Sequence, residues 1–148
     1  MLAEQIQSDL KVAMKARDKQ AMAALRMVLA RIKEARVAEG HAGEVSDDEV
    51  ETLIRREAKR RTEAASAFAA AGRDELAANE EAELAILQRY LPQQMPDDEL
   101  TTIIDETIAA TGASSPGDFG RVMGAVMSKV SGRADGSRVN ALVRERLN

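Results

Sequence analysis

The chain has 148 residues, of which 45% are apolar and 31% are charged, a balance typical of a globular protein rather than a disordered one. It contains no cysteine, which excludes disulfides and thiolate zinc sites, and no apolar run approaches the roughly 20 residues that a membrane span needs. The formal net charge of −4 argues against a surface that binds nucleic acid in general. We expect a cytoplasmic protein, since the sequence suggests no membrane span. Only 2% of the residues are aromatic and strong helix formers dominate, so the composition predicts an all-α fold.

The spacing of apolar residues predicts an N-terminal helical domain over residues 1–92, a hairpin or bundle of about four helices. Turn residues separate the four segments: Asp18, then Gly40 and Gly43, then Gly72. Ser46 and Glu49 have the spacing of a capping box at the start of the third helix. The apolar positions that define the helices are, in chain order, Leu2, Ile6, Leu10 and Met14; Met22, Leu25, Leu29 and Ile32; Val50, Leu53, Ile54 and Phe68; and Leu76, Leu84, Leu87 and Tyr90.

The segment Leu91–Pro96 predicts a domain boundary, because Pro92 and Pro96 cannot both lie inside a helix. Residues 96–148 then predict a tail domain of three short helices. The first spans about Asp97 to Thr111, and the third begins after Asp135 and Gly136. The second is capped by Ser115, with Pro116 at its first position and Asp118 three residues after the cap.

The second tail helix carries glycines on one face. Phe119, Met123, Val126 and Val130 form its apolar stripe, whereas Gly117, Gly120, Gly124 and Ser128 fall together on another side. Each helical glycine costs about 1 kcal/mol relative to alanine, so the pattern needs a compensating contact. That contact is either a neighbouring helix packed tightly inside the protein or a docked ligand, partner helix or nucleic-acid backbone. Arg121 borders the glycine face, and Lys129 lies farther round.

The charge is unevenly distributed. Residues 115–148 contain six basic and three acidic residues, a net charge of +3, whereas residues 41–95 carry a net charge of −5. The tail arginines and lysine, including Arg133 and Arg138, are therefore candidates for contacts with phosphate or with a partner protein.

Several segments resemble the GatB/YqeY family. Asp118–Met127 and Gly132–Asn140 look like the tail signature of that family, and Glu81–Leu84 with Tyr90–Gln94 is similar to the segment that joins its two parts. Arg26–Val28 fits as well, and the likeness runs over nearly the whole chain. One departure is Pro96, where the family usually has a Ser or Thr cap.

The resemblance implies an N-terminal helical part and a three-helix tail. In the glutamyl/aspartyl-tRNA amidotransferase B subunit, the similar tail is a tRNA-contacting appendage to an ATP-dependent, glutamine-using ligase. The small members of the family have that appendage without the kinase-like catalytic body.

Catalytic chemistry has little support in the residues. His41, the only histidine, falls in a glycine-rich turn and is interpreted as a solvated loop residue. The chain has no glycine-rich phosphate loop followed by Lys-Ser or Lys-Thr, and Glu80, Glu81 and Glu83 read as a solvated acidic face. We therefore predict no catalytic residues, no metal and no cofactor.

Three charged residues interrupt the apolar stripes of the N-terminal part. Glu57 and Arg61 fall within the stripe of the third helix, and Arg36 continues that of the second. Because unpaired buried charges are costly, these residues should pair with one another. The first interpretation is an ion network between helices or a stripe end that reaches solvent, and a polar binding groove between the helices is the alternative.

Three functions remain open on the sequence. The leading hypothesis is an RNA-binding accessory module that recognises the shape and phosphates of a structured RNA such as tRNA, because few aromatics are available for stacking on bases. The second is a protein-interaction adaptor for a synthetase or amidotransferase component. The third, implied by the resemblance, is part of a carbon–nitrogen ligase with glutamine as amido donor. In none of them does a membrane take part.

Overall fold

The structure, a computed structural model, describes residues 1–38, 40 and 43–148. Within these residues the chain forms seven α-helices and one 3₁₀ turn and has no strand, which confirms the all-α fold. The helices are α1 (Leu2–Ala16), α2 (Lys19–Ala38), α3 (Asp47–Ala70), α4 (Asp74–Gln88), α5 (Asp97–Thr111), α6 (Phe119–Val130) and α7 (Gly136–Leu147), and the 3₁₀ turn is Pro116–Asp118. The predicted turn residue His41 lies outside the described residues.

The chain divides into two compact units, Met1–Leu91 and Pro92–Asn148. The division falls inside the Leu91–Pro96 segment, where the two prolines interrupt helix formation. Each unit has its own hydrophobic core.

Local signals set most helix ends. Ser46 Oγ accepts a hydrogen bond from the backbone N–H of Glu49 at 3.2 Å, so α3 begins where the capping residues predict. Gly112 follows α5 with a φ of +69°, and Gly72 follows α3 with a φ of +73°. A residue with a side chain rarely adopts such angles, so glycine is well suited to stopping both helices.

The capping box at Ser115 is present, but it opens a 3₁₀ turn rather than the α-helix itself. The backbone N–H of Asp118 bonds to the carbonyl of Ser115 at 3.0 Å, a bond that spans three residues instead of four. The α-helix then begins at Phe119, three residues later than the position of Pro116 predicts.

The core of the N-terminal unit forms where α2 packs against α1, α3 and α4, and α3 pairs extensively with α4. Its fully buried side chains include Ile6, Val50, Ile54 and Leu87. Two residues predicted to belong to the buried apolar stripes are exposed instead, Met14 at 49% and Leu76 at 40%. For Met14 the reason is geometric: positions four apart drift by about 40° per step around a helix, so three steps carry it well away from Leu2.

The core of the C-terminal unit joins α5, α6 and α7. Val122, Val126 and Val130 of α6 are fully buried, with Phe119 and Met123 half-buried beside them. The apolar stripe predicted for this helix is thus present, and its centre lies at Val126. The opposite side of α6 is left to carry the glycines.

Candidate functional site

The glycine face of α6, defined as Gly120, Gly124 and Ser128 together with Gly117 of the preceding 3₁₀ turn, is exposed to solvent. A Cβ built at Gly120 or at Gly124 would have no heavy atom of the described residues within 4 Å outside its own helix, and one at Gly117 would meet only Ser115 Oγ at 3.6 Å. The interpretation that these glycines allow tight packing against a neighbouring helix is therefore wrong within the C-terminal unit. The backbone of α6 is accessible along this face instead.

α6 carries two cations, Arg121 beside the glycine face and Lys129 farther round the helix. Arg121 is exposed and donates to Asp118 Oδ1 at 3.1 Å. Backbone N–H bonds from Ser114 above all, together with those from Ser115 and the charge of Arg121, hold the pKa of Asp118 below its usual range. Lys129 is exposed at its own position, and its ammonium donates to the hydroxyl of Thr107 on α5 at 3.0 Å. The partner of Lys129 is neutral, so its charge is not cancelled there.

Arg133 and Arg138 hold the tail domain together. Arg133 donates to the carbonyl of Gln93 at 3.1 Å and lies 3.3 Å from the carboxylate of Glu99. Arg138 donates to the carbonyl of Met95 at 2.8 Å and pairs with Asp97. Both arginines thus tie the segment between the prolines, and the start of α5, to the region around α7. Sequence reasoning grouped them with the ligand-binding candidates, whereas the structure gives them intramolecular partners.

The acidic residues of α5 offset much of the tail's positive charge. Besides the pairs of Arg133 and Arg138, Arg146 lies 3.6 Å from the carboxylate of Asp105. The net charge of +3 counted along residues 115–148 is therefore not a bare basic surface. The cations left with a neutral partner or a local one are Arg121, Lys129 and Arg144.

Arg144 lines a small cavity that the sequence did not predict. Its guanidinium lies over the ring of Phe119, 4.9 Å from the centroid, and its Nε donates to Asn140 Oδ1 at 2.8 Å. The cavity has a volume of about 230 Å³ and is lined by Pro116, Phe119, Arg144, Leu147 and Asn148. The i,i+4 spacing of Asn140 and Arg144 was a usable sequence signal, but the contact with Phe119 spans two helices and was not.

The predicted charge cluster of the N-terminal unit separates into two networks. Glu57 is 6% exposed and accepts from Arg31 Nε at 3.0 Å, with Arg60 at 3.4 Å. The hydrogen bond from Arg31 to Glu34, followed by that to Glu57, raises the pKa of Arg31. Arg61 points to α4 and lies 3.1 Å from Glu80 and 2.8 Å from Glu83.

The prediction that Arg36, Glu57 and Arg61 pair with one another is therefore wrong. Glu57 finds its cation on α2 and Arg61 finds its anions on α4, because the two side chains leave α3 in different directions. Arg36 is exposed one turn beyond Ile32, so the polar groove does not assemble from these three residues. Arg31, the actual partner of Glu57, was missed because nothing along the chain distinguishes it from other helix arginines.

The acidic face predicted for α4 is also corrected. Glu81 is exposed, but the side chains of Glu80 and Glu83 are only 21% and 16% exposed, because both pack around Arg61. Burial, more than any other cause, raises the pKa of Glu83, while the charge of Arg61 lowers it. The Nε of Arg61 is buried and has no hydrogen-bond partner among the described residues.

A tyrosine side chain links the end of α4 to α1 in the N-terminal unit. The hydroxyl of Tyr90, just after α4, donates to the carboxylate of Asp9 on α1 across a groove of about 380 Å³. Burial and the hydrogen bond to Asp9 raise the pKa of Tyr90 well above its ordinary value. The contact anchors the end of α4 to a helix that lies far away along the chain.

Two kinds of feature, a metal-binding cluster and a membrane-spanning helix, are absent among the described residues. Among residues 1–38, 40 and 43–148, no cluster of three or more His, Cys, Asp or Glu side chains has the geometry to hold a metal. Within the same ranges, no helix combines the length and the apolar character required to cross a bilayer.

Comparison with known proteins places this architecture in a family. A comparison with the curated proteins gave no match. A scan against protein families matches residues 3–147 to the family described as Yqey-like protein, and this match covers nearly the whole chain. With its all-α fold and its signature residues in α6 and before α7, the chain belongs to the Yqey-like protein family.

Proposed function

We propose that the chain is an RNA-binding accessory module, non-catalytic on its own, with a structured RNA such as tRNA as its ligand. The observation that carries the proposal is the open glycine face of α6, which has Arg121 beside it and Lys129 farther round the same helix. The family resemblance to the tRNA-contacting tail of an amidotransferase subunit supports the choice of RNA.

The glycine face is costly to the folded protein. Gly120 and Gly124 lie on the exposed side of a helix, where each costs about 1 kcal/mol relative to alanine. No neighbour within the C-terminal unit fills the space above them, so packing within that unit does not offset the cost. A smooth helix surface without Cβ atoms lets an extended backbone approach closely, and a phosphodiester backbone is such a ligand.

Few cations remain for the phosphates. Arg133 and Arg138 are bound to α5 and to the segment before it, so the phosphate contacts available on α6 reduce to Arg121 and Lys129. Two phosphate contacts predict a slope of about −1.4 to −1.8 when the logarithm of the binding constant is plotted against that of the salt concentration. Binding should therefore depend on salt, but less steeply than for a protein with a continuous basic surface.

The experiment compares two double charge reversals. Arg121→Glu with Lys129→Glu should abolish the retention of tRNA, because both phosphate contacts become repulsive. The matched control, Lys11→Glu with Lys15→Glu, changes the net charge equally at exposed positions of α1 and should bind as the unaltered protein does. Arg133 is left intact, since its reversal would break the bonds that join it to Gln93 and Glu99, and circular dichroism shows that the double reversal, which removes the contacts of Arg121 with Asp118 and of Lys129 with Thr107, retains its fold. If the first variant binds tRNA normally, the proposal is wrong.

A protein-interaction adaptor is the second candidate, favoured by the way α5 offsets the tail cations. In that case a helix of a synthetase or amidotransferase component packs on the glycine face, with small residues allowing close contact between backbones. Gly124→Leu separates the two functions. Loss of a co-purified protein with retention of RNA supports the adaptor, whereas loss of RNA supports the binding module.

A further inference from the structure

The guanidinium of Arg144 lies over the ring of Phe119 at the wall of the cavity lined by Pro116, Phe119, Arg144, Leu147 and Asn148, and together they form a charged surface. We propose that this surface, here called the Arg144 platform, stacks an unpaired nucleobase of the bound RNA. The proposal rests on the RNA-binding function and adds a second point of contact, which reads a base rather than the phosphate backbone.

Two interactions fix the plane of the guanidinium. The central carbon, Cζ, lies over the ring of Phe119 at 4.9 Å from the centroid, and Nε donates a hydrogen bond to Asn140 Oδ1 at 2.8 Å. Arg144 is exposed, so the face turned away from Phe119 remains available. A guanidinium that is already oriented loses less conformational freedom when a planar ligand stacks on it.

The charge of Arg144 is also available. Arg133, Arg138 and Arg146 pair with carboxylates of α5, whereas the hydrogen-bond partner of Arg144 is the neutral amide of Asn140. A cation that keeps its charge attracts the π face of a base and the phosphate next to it.

The cavity suits a base at its remaining walls. Pro116 and Leu147 supply apolar contacts, and the side-chain amide of Asn148 has both a donor and an acceptor for the edge of a base. Arginine planes stack on unpaired bases much as aromatic rings do. The poverty of the chain in aromatics therefore does not prevent base stacking at this position.

The platform is separable from the glycine face. Phe119 lies on the core side of α6 and Gly124 on the exposed side, so a change at one site leaves the residues of the other in place. Arg144→Lys keeps the positive charge and removes the planar group. Arg146→Lys is the matched control, because it makes the same chemical change two residues away, outside the cavity.

The test uses the full chain and two RNA probes. One is a hairpin with a single-stranded tail of adenosines, and the other is the same hairpin with an abasic tail of equal length. We expect the adenosine probe to bind about tenfold more tightly than the abasic probe. Arg144→Lys should remove that tenfold difference without changing the affinity for the abasic probe, and Arg146→Lys should preserve it.

The outcomes separate this proposal from the function on which it rests. Equal affinity of the unaltered protein for the two probes overturns base stacking but leaves backbone recognition intact. An undiminished preference for adenosine in Arg144→Lys overturns the assignment to the platform. If the unaltered protein binds neither hairpin, RNA binding itself fails, and the stacking proposal fails with it. Circular dichroism and thermal unfolding of each variant show that its fold is retained.

Discussion

The open glycine face leads to a prediction in which stability and binding change in opposite directions. Replacing Gly120 and Gly124 together with alanine should stabilise the C-terminal unit. Neither new Cβ meets a described atom within 4 Å outside α6, and neither glycine has a positive φ. The substitutions therefore restrict the unfolded chain without straining the folded one.

The magnitude follows from the positions of the two glycines. Gly124 lies in the middle of α6, where alanine is worth about 1 kcal/mol. Gly120 lies in the first turn, where the lower end of the measured range, about 0.4 kcal/mol, applies. The free energy of unfolding should thus rise by about 1.4 kcal/mol, and the melting temperature of a unit of this size by about 6–11 °C.

Thermal unfolding followed by circular dichroism at the helix band measures the effect. Gly132→Ala is the control within the same unit, since Gly132 has a φ of +79° and alanine there should destabilise the unit by about 1 kcal/mol. The two methyl groups at positions 120 and 124 should weaken RNA binding although the protein is more stable. A double variant without any gain in stability would show that the face is not open, and unchanged RNA affinity would refute its role in docking.

Three further predictions concern the N-terminal unit. Arg61→Met should destabilise the protein by about 2 kcal/mol in urea unfolding, because the half-buried carboxylates of Glu80 and Glu83 lose their cation. The control Arg60→Met removes an exposed arginine and should cost less than about 0.5 kcal/mol. Equal effects of the two substitutions would contradict the pairing of Arg61 with α4. Because the pKa of Glu83 is raised in the folded state, the free energy of unfolding should fall as pH rises from the ordinary glutamate pKa through the raised value. Glu83→Gln should flatten that decline, and an unchanged pH profile in this variant would contradict the raised pKa. Tyr90 is the only tyrosine, so the change in tyrosine absorbance at high pH reports on it alone. Its pKa should exceed that of a free tyrosine, and Asp9→Asn should lower it. A normal tyrosine pKa in the folded protein would exclude the hydrogen bond to Asp9.

Helix positions were predictable because their signals are local. The cap at Ser46, the glycine at 112 and the prolines at 92 and 96 act within a few residues of the backbone they constrain. Where local signals compete, the prediction was less accurate. The capping residues at Ser115 opened a 3₁₀ turn, and α6 began only at Phe119.

Charge partners were not predictable in the same way. Glu57 and Arg61 have favourable i,i+4 spacing, yet each pairs with a different helix. The choice depends on the direction in which each side chain leaves α3 and on which helix lies there. The tail cations show the same limit: Arg138 meets Asp97 across 41 residues of sequence, and no charge count along the chain reveals that contact.

The sequence by itself determined the all-α class, the family, the helix signals and the glycine pattern of α6, because helix propensity, capping and periodicity are properties of neighbouring residues. Only the tertiary structure decided that this pattern faces solvent rather than another helix, that α5 engages most of the tail arginines, and that Arg144 lies over Phe119. Those outcomes depend on how α5, α6 and α7 are rotated as they pack around one core. The buried valines of α6 set that rotation, and their burial turns the glycines outward.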